Sequence, residues 1–425
     1  MTDTIFALSS GAPPAGIGVI RISGARAAAA MEALAGRLPV PRSARLALLT
    51  DPRDGKPLDR ALVLWFPGSG TATGEDLAEL HCHGGRAVIA AVEEALASIE
   101  GLRRAGPGEF TQRAFLNGRM DLNAVEGLSD LLVAETQQQR RAALLMAEGH
   151  FSRRLNGWRT ALLDLSAMAE AALDFSDEDD VPDAGIEARI VDRLGQLAQE
   201  VEGVLAAPSA ERLRDGVRVV LAGPPNAGKS TLLNALVGRD AAIVSDIAGT
   251  TRDRIEAPAA IGGTAFLFTD TAGLRDETSD SIEAIGMDRA RSALEAADII
   301  LWLGEADRLP RADAILIAAQ ADRWKDRQGL PLSARTGEGM DRLVALLRER
   351  AAALLPGEGE YALHARQRDG VQRFLEHVAA AAITLDLLIL AEELRQARDV
   401  LDRLTGRAST EDMLDHLFAG FCIGK

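Results

Sequence analysis

The sequence predicts a doubly wound α/β domain inserted into an all-α domain, with an α+β domain ahead of both. Three observations lead there. Val217 to Gly223 is a buried-strand pattern that runs through a Gly/Pro turn into a helix, Ser230 to Val237. Helical periodicity lies both before and after that unit, so the economical arrangement is one helical domain interrupted by an insertion. Residues 1–118 instead carry short β-like runs between Gly/Pro turns.

In chain order, Gly18 to Ile22, Leu62 to Phe66 and Leu77 to His81 are the β-like runs of the α+β domain, 1–118. Leu122, Val125, Leu128, Leu131 and Leu132 then recur at helical spacing after Asp121, and the pattern continues towards Leu173. Asp174 to Asp180 reads as a solvated loop with helix-capping carboxylates, and Ile186 to Leu205 as a further helix. These make the first part of the helical domain, 119–213. The α/β insert, 214–356, continues with apolar runs at Thr264 to Thr269, Asp298 to Leu303 and Ala314 to Ala318, separated by polar or helical segments. Ala207-Pro208-Ser209 and Pro356-Gly357-Glu358-Gly359 mark its junctions. Gln367 to Leu404 is helical again, in the second part of the helical domain, 357–425.

Composition narrows the class. An apolar fraction of 47% with 26% charged residues is globular. No stretch approaches the ~18–20 uninterrupted apolar residues of a membrane span, since Val378 to Ala391 is broken by Asp386. The N-terminus lacks a basic segment followed by an apolar core, so no secretory signal is expected. Cys82 and Cys422 lie far apart, as free thiols of a reducing compartment do, and the chain reads as cytoplasmic. A net charge of −16 argues against a broad phosphate-gripping surface, so any RNA contact must be local or delivered by a partner.

The chemistry concentrates in the insert. Gly223-Pro224-Pro225-Asn226-Ala227-Gly228-Lys229-Ser230 fits G-x-x-x-x-G-K-S between a strand and a helix. Backbone N–H groups of such a loop wrap phosphates, the lysine neutralises β/γ oxygens, and the serine hydroxyl can bind Mg²⁺. Thr231 follows in the same helix. Asp270-Thr271-Ala272-Gly273 fits the D-x-x-G that senses the γ-phosphate, and Gly249-Thr250-Thr251-Arg252-Asp253 lies between the two as a switch segment. This order is specific to GTPases. Base recognition departs from pattern: where N-K-x-D is usual, Ala319-Gln320-Ala321-Asp322 keeps only the aspartate that reads the guanine edge. Ser333-Ala334-Arg335 matches the later loop that backs the base. Leu274 stands where Ras-like enzymes carry a water-orienting glutamine. An apolar side chain cannot hold water, so hydrolysis is either very slow or served by another group, and Glu283, just beyond the acidic loop, is a candidate.

P-N-A-G-K-S, S-D-I-A-G-T-T-R-D, D-T-A-G-L-R and I-E-x-I-G in that order resemble the MnmE (TrmE) family of tRNA modification GTPases, related to Era and EngA. The resemblance spans the chain through Gly18 to Gly24, Gly74-Glu75-Asp76, His83-Gly84-Gly85, Gly108 to Thr111, Ala114 to Gly118 and the terminal Phe421-Cys422-Ile423-Gly424-Lys425. It implies a K⁺-dependent homodimeric GTPase activated when two GTP-binding domains meet. By the match, Asn226, Ser245, Ile247 and Thr250 coordinate K⁺, Ser230 and Thr251 hold Mg²⁺, and Glu283 positions water. It also implies a tetrahydrofolate derivative, 5-formyl or methylene in type, on the N-terminal domain at residues matching Arg21, Glu79, Arg119 and Lys425. Arg119 replaces a common lysine, keeping charge but changing donor geometry. Cys422 resembles a near-terminal cysteine important for tRNA modification, with a small buried hydrophobe as the other reading. His81-Cys82-His83 has no second ligand cluster, which argues against zinc.

Three functions compete. In the first, GTP hydrolysis controls, with the flavoprotein MnmG (GidA), the addition of an aminomethyl or carboxymethylaminomethyl group at C5 of the wobble uridine of tRNA. The others are an Era-type assembly switch and a folate-binding module with a regulatory GTPase. The terminal F-C-I-G-K and the lack of a basic RNA-binding domain favour the first over the assembly switch.

Overall fold

The computed structural model describes residues 3–175, 185–208, 210–239, 256–270, 291–324, 326–357, 359–384, 386–408 and 417–424. Contacts divide the chain into two compact units, residues 1–129 with 402–425, and residues 130–401.

The first unit is built on a six-stranded sheet ordered β3-β4-β5-β2-β1-β6. Its strands are β1 (Thr4–Leu8), β2 (Ile17–Ser23), β3 (Arg45–Thr50), β4 (Pro57–Phe66), β5 (Leu77–His83) and β6 (Leu102–Arg104). Neighbours are antiparallel except β1 and β6. Period-two alternation buries Ala61, Val63 and Trp65 of β4 and Ala78, Leu80 and Cys82 of β5. They pack in one core with Met31 and Leu34 of α1 (Ala27–Ala35) and Val92 and Leu96 of α2 (Arg86–Ala97). Each of the buried valines, leucines and Met31 contributes about 1.5–3 kcal/mol on leaving water. On the other face, Phe110 of α3 (Glu109–Leu116) covers Ile5 and Ala7 of β1. Val125 of α4 (Leu122–Val133) packs with Phe418 and Phe421. The segment ending at Gly424 is stitched to the same unit by a bridge between Ile423 and Pro107. A Cβ on Gly424 (φ 92°) would lie 2.1 Å from the Leu8 carbonyl oxygen, so only glycine allows that approach.

The second unit joins a helical layer to a second six-stranded sheet, ordered β12-β11-β10-β7-β9-β8. The strands are β7 (Val217–Ala222), β8 (Glu256–Ile261), β9 (Thr264–Asp270), β10 (Ile299–Trp302), β11 (Ile315–Ala319) and β12 (Leu330–Leu332). All pair in parallel except the edge strand β8 on β9. Leu232 and Leu236 of α9 (Lys229–Arg239) and Leu343, Leu347 and Ala351 of α10 (Met340–Ala352) pack into one core with these strands. A parallel crossover usually carries a helix. Here residues 303–314, linking β10 to β11, hold only the 3₁₀ turn Ala306–Arg308.

The helical layer comprises α5 (Gln137–Ala147), α6 (His150–Phe175), α7 (Ile186–Leu205), α8 (Ala210–Asp215), α11 (Ala365–Ile383) and α12 (Leu387–Leu404). Buried Phe151, Leu155, Trp158, Leu162, Leu165 and Ala169 recur every three or four residues along α6. Trp158 stacks on Phe374 of α11 with ring centroids 5.3 Å apart. The expected helix Gln367 to Leu404 is two helices, separated at residues 384–386. No described helix is long and apolar enough to cross a membrane.

Candidate functional site

Strand β7 delivers the chain to Gly223 (φ 150°), where a Cβ would sit 3.1 Å from the Leu303 carbonyl carbon. The loop passes through Asn226 (φ 58°), exposed, and half-buried Ala227 and Gly228 before α9 begins at Lys229. This strand, glycine turn and helix start is the arrangement that cradles phosphates. Lys229 is buried, and its ammonium donates to the carbonyls of Gly223 and Pro224, each at 3.0 Å. Ser230 Oγ donates to Asp270 Oδ2 at 2.5 Å. The two meet because β9 runs parallel to β7 with Asp270 opposite Leu221. A hydroxyl and a carboxylate so placed are the hard oxygen donors that Mg²⁺ takes, so the described residues fit that ion. Thr231 is exposed on the first turn of α9.

Residues 223–227 also wall a cleft of about 1060 Å³ whose other side holds Trp302, Glu305, Gln320 and Arg327. It opens beside the helix-less crossover.

The base loop follows β11. Ala319 is buried at the strand end, and Gln320 adopts a left-handed φ of 60°. That turn sets Gln320 Nε2 3.8 Å from where a Cβ of Gly228 would be, over the phosphate loop. Asp322 Oδ1 accepts from Ser333 Oγ at 2.8 Å, and Arg335 Nε lies 3.3 Å from Asp322 Oδ2. The Ser333 hydroxyl, with smaller help from Arg335, holds the Asp322 carboxyl below the usual carboxylate range. Ser333 is buried, Ala334 half-buried and Arg335 exposed. The structure thus places Asn226 to Thr231, Asp270, Asp322 and Ser333 to Arg335 at or just after the ends of the parallel strands β7, β9, β11 and β12. Ser245, Ile247, Thr250, Thr251, Thr271, Ala272, Gly273 and Glu283 lie outside the described residues.

A second constellation lies on the first unit's sheet. Arg21 on β2 stands opposite Glu79 on β5, and its Nη2 and Nε donate to Glu79 Oε1 at 2.9 and 3.2 Å. The Arg21 guanidinium lies 6.0 Å from the Phe110 ring centre. His81, two residues along β5, places Nε2 3.1 Å from Glu79 Oε2. Burial pushes the Glu79 carboxyl up, but the hydrogen bonds from His81 and Arg21 outweigh it and the net shift is down. An ionised half-buried carboxylate beside a guanidinium is a donor set that suits a flat ligand with N–H groups and an anionic tail, as a folate has. Arg119 is exposed, its Cγ 3.1 Å from the notional Cβ of Gly74. Lys425 lies outside the described residues. Cys422 is exposed, which removes its reading as a small buried hydrophobe.

Sequence reasoning missed two residues here. One is His81 as a neighbour of Glu79, which period-two alternation along one strand could have signalled. The other is Arg113, 1% exposed and in contact with Asp3, Glu75 and Glu109, for which no local signal exists. Among the described residues no group of three His, Cys, Asp or Glu side chains could hold a metal ion. Cys82 is buried, its thiol pushed up to about 12 by burial and then by Asp59, and His83 is engaged by Asp59 at 2.7 Å.

Comparison with known families now bears on this geometry. The family model of the MnmE helical domain matches residues 122–422, and that of the GTP-binding protein TrmE N-terminus matches residues 4–119. The chain belongs to the MnmE family of tRNA modification GTPases. The tRNA modification GTPase MnmE of Rhizorhabdus wittichii is 59% identical over 428 residues, covering 100% of this chain and 97% of the relative. Those of Erythrobacter litoralis and Zymomonas mobilis are 57% and 50% identical, covering 100% and 99% of this chain and 100% of each relative. As an MnmE-family member the chain is a GTPase.

Proposed function

We propose that the chain hydrolyses GTP to drive C5 modification of the wobble uridine, U34, of tRNA. It works as a homodimer with the flavoprotein MnmG and adds an aminomethyl or carboxymethylaminomethyl group. Arg21, Glu79, Arg119 and Lys425 would hold a tetrahydrofolate derivative, 5-formyl or methylene in type, which would supply the one-carbon unit. The setting is the cytoplasm. The domains are 1–118 for dimerisation and folate, 119–213 with 357–425 as the helical domain carrying Cys422, and 214–356 for GTP.

At the GTP site Lys229 neutralises β/γ oxygens, while Asn226 to Thr231 and Asp270 to Gly273 bind the phosphates. Asp322 accepts the two N–H groups of the guanine edge, with Ser333 to Arg335 behind it. Ser230 and Thr251 would hold Mg²⁺, and Asn226, Ser245, Ile247 and Thr250 would hold K⁺; bound there, the ions would supply positive charge at the phosphates. Glu283 positions the attacking water, the role Leu274 cannot fill.

The observation that carries this reading is the meeting of Lys229, Ser230 and Asp270 at the ends of β7 and β9, in a chain matched by both family models. The test is nucleoside analysis of tRNA from a strain lacking this chain. C5-substituted wobble uridines should vanish and return on complementation. An unchanged nucleoside profile would overturn the proposal.

A further inference from the structure

The Arg21, Glu79 and His81 cluster stands where the cover of the first unit's sheet ends. Towards β1 the face is closed by Phe110 over Ile5 and Ala7. Towards β3 it is open, with Leu46, Leu48 and Leu62 all exposed. Arg21, Glu79 and His81 keep 25%, 16% and 29% of their side-chain surface, enough for a ligand to reach them.

Counting lone pairs shows where a ligand can be read. Each carboxylate oxygen accepts about two hydrogen bonds. Oε1 of Glu79 already takes two, from Arg21 Nε and Nη2, whereas Oε2 takes one, from His81. Among the described residues, the oxygen with remaining capacity is therefore the one His81 holds. Because an ionised carboxylate only accepts, His81 Nε2 carries the proton in this contact. The terminal torsion of a glutamate is broad, so Arg21 alone leaves the carboxylate plane loosely set. A second donor at Oε2 fixes that plane, which a ligand N–H group aimed at the remaining Oε2 lone pair requires.

We infer that His81 is a positioning residue of the ligand site on this face, orienting Glu79 so that Oε2 accepts an N–H group of a pteridine-type ring. The inference rests on the proposed reading that a tetrahydrofolate derivative binds at Arg21 and Glu79.

The test uses the full chain and 5-formyltetrahydrofolate in equilibrium dialysis, with urea unfolding midpoints measured alongside. His81→Leu, which removes the donor, should weaken binding roughly tenfold, as loss of a hydrogen bond to a charged group does. His81→Gln, which restores a donor, should recover most of that loss. The unfolding midpoint should fall slightly for His81→Leu, by the loss of that one hydrogen bond, and stay near wild type for His81→Gln, since the residue lies on an open face. In the wild-type chain the His81 ring ¹⁵N resonance should shift on adding 5-formyltetrahydrofolate, a readout independent of how variants fold. Wild-type binding by His81→Leu together with an unmoved ring resonance overturns the inference, provided Glu79→Gln has lost binding. Wild-type binding by Glu79→Gln instead overturns the underlying folate reading.

Discussion

Replacing Arg113 by Met tests whether the first unit is held together by one buried cation. Arg113 Nη1 donates to Asp3 O at 3.0 Å, Ser23 O at 3.5 Å and Glu75 Oε2 at 3.0 Å, while Nη2 reaches Asp3 Oδ1 at 3.1 Å and Glu109 Oε1 at 3.2 Å. Methionine keeps most of the volume, so the cavity cost is small and the electrostatic cost dominates. That cost falls unevenly. Asp3 keeps Arg103 Nε at 2.6 Å, and Glu109 keeps Arg103 at 2.5 and 2.8 Å and Gly106 N at 2.9 Å. Among the described residues the Glu75 carboxylate retains only the Ser23 hydroxyl, at 2.9 Å, and is 18% exposed. Breaking a buried pair costs about 3–5 kcal/mol, and partial exposure puts this one near the lower end, about 3 kcal/mol. With a urea slope of about 1–3 kcal/mol/M, the midpoint of the first unit should fall by about 1–3 M. Trp65 reports that unit alone when Trp158, Trp302 and Trp324 are replaced by Phe, as unfolding of two units is not one transition. Adding Glu75→Gln should restore at least half the loss, because the stranded charge is gone. A fall below about 0.3 M for Arg113→Met, or no recovery in the double variant, would refute the reasoning.

Four further outcomes follow from the sites. GTP turnover should require K⁺ and be lost in Na⁺ at matched ionic strength; equal steady-state rates in the two salts would sink the K⁺ assignment to Asn226 and its partners. Glu283→Ala should leave nucleotide affinity near wild type while removing most hydrolysis, since a water-positioning group acts in the transition state. Unchanged single-turnover rates would show that another residue holds the water. Asp322→Asn should weaken GTP binding by roughly tenfold or more and gain xanthosine triphosphate, because an amide donor meets the xanthine carbonyl; fluorescent-nucleotide titrations in which neither affinity moves would require realigning the base loop. Asp3, Glu79 and Glu109 all have carboxyls lowered in the folded chain, because hydrogen bonds from Arg103, His81 or Arg21 outweigh burial. Their stabilisation is complete above the ordinary values of 3.8 and 4.5 and is lost as pH falls through the lowered ones, so the Trp65 midpoint should be flat near neutrality and decline below about pH 4.5. A midpoint that rises between pH 5 and 3 would contradict those directions.

What the sequence disclosed depended on how local its cause was. The helix expected at Ile186 to Leu205 is α7, because an apolar stripe declares itself within one segment. The run Val217 to Gly223 ends as β7 at Ala222 for the same reason, with the glycine loop directly after it. Strand β8 went unread because Glu256–Ile261 is alanine- and proline-rich and takes its pairing from β9 rather than from its own pattern. The break at residues 384–386 was hidden because helical periodicity runs on across it. Of the nucleotide site, the contiguous Gly223–Ser230 motif was fully legible. The pairing of Arg335 with Asp322 was not, since it depends on how two loops from different strands converge. Arg113 was beyond reach altogether: its partners Asp3 and Glu75 lie 110 and 38 residues away, and nothing local marks them.

The first unit is closed only by a segment that emerges late in synthesis. Residues 402–425 belong with residues 1–129, and the Ile423 bridge and the Gly424 seat on Leu8 complete that body. On the ribosome, the opening 129 residues must therefore wait while residues 130–401 are translated. At about 5–20 residues per second that interval is roughly 15–55 s. The second unit is thus free to fold first, and the sheet bearing Arg21 and Glu79 reaches its final form last. Premature termination after residue 401 would release a chain with its second sheet whole and its first sheet uncovered beside Leu8.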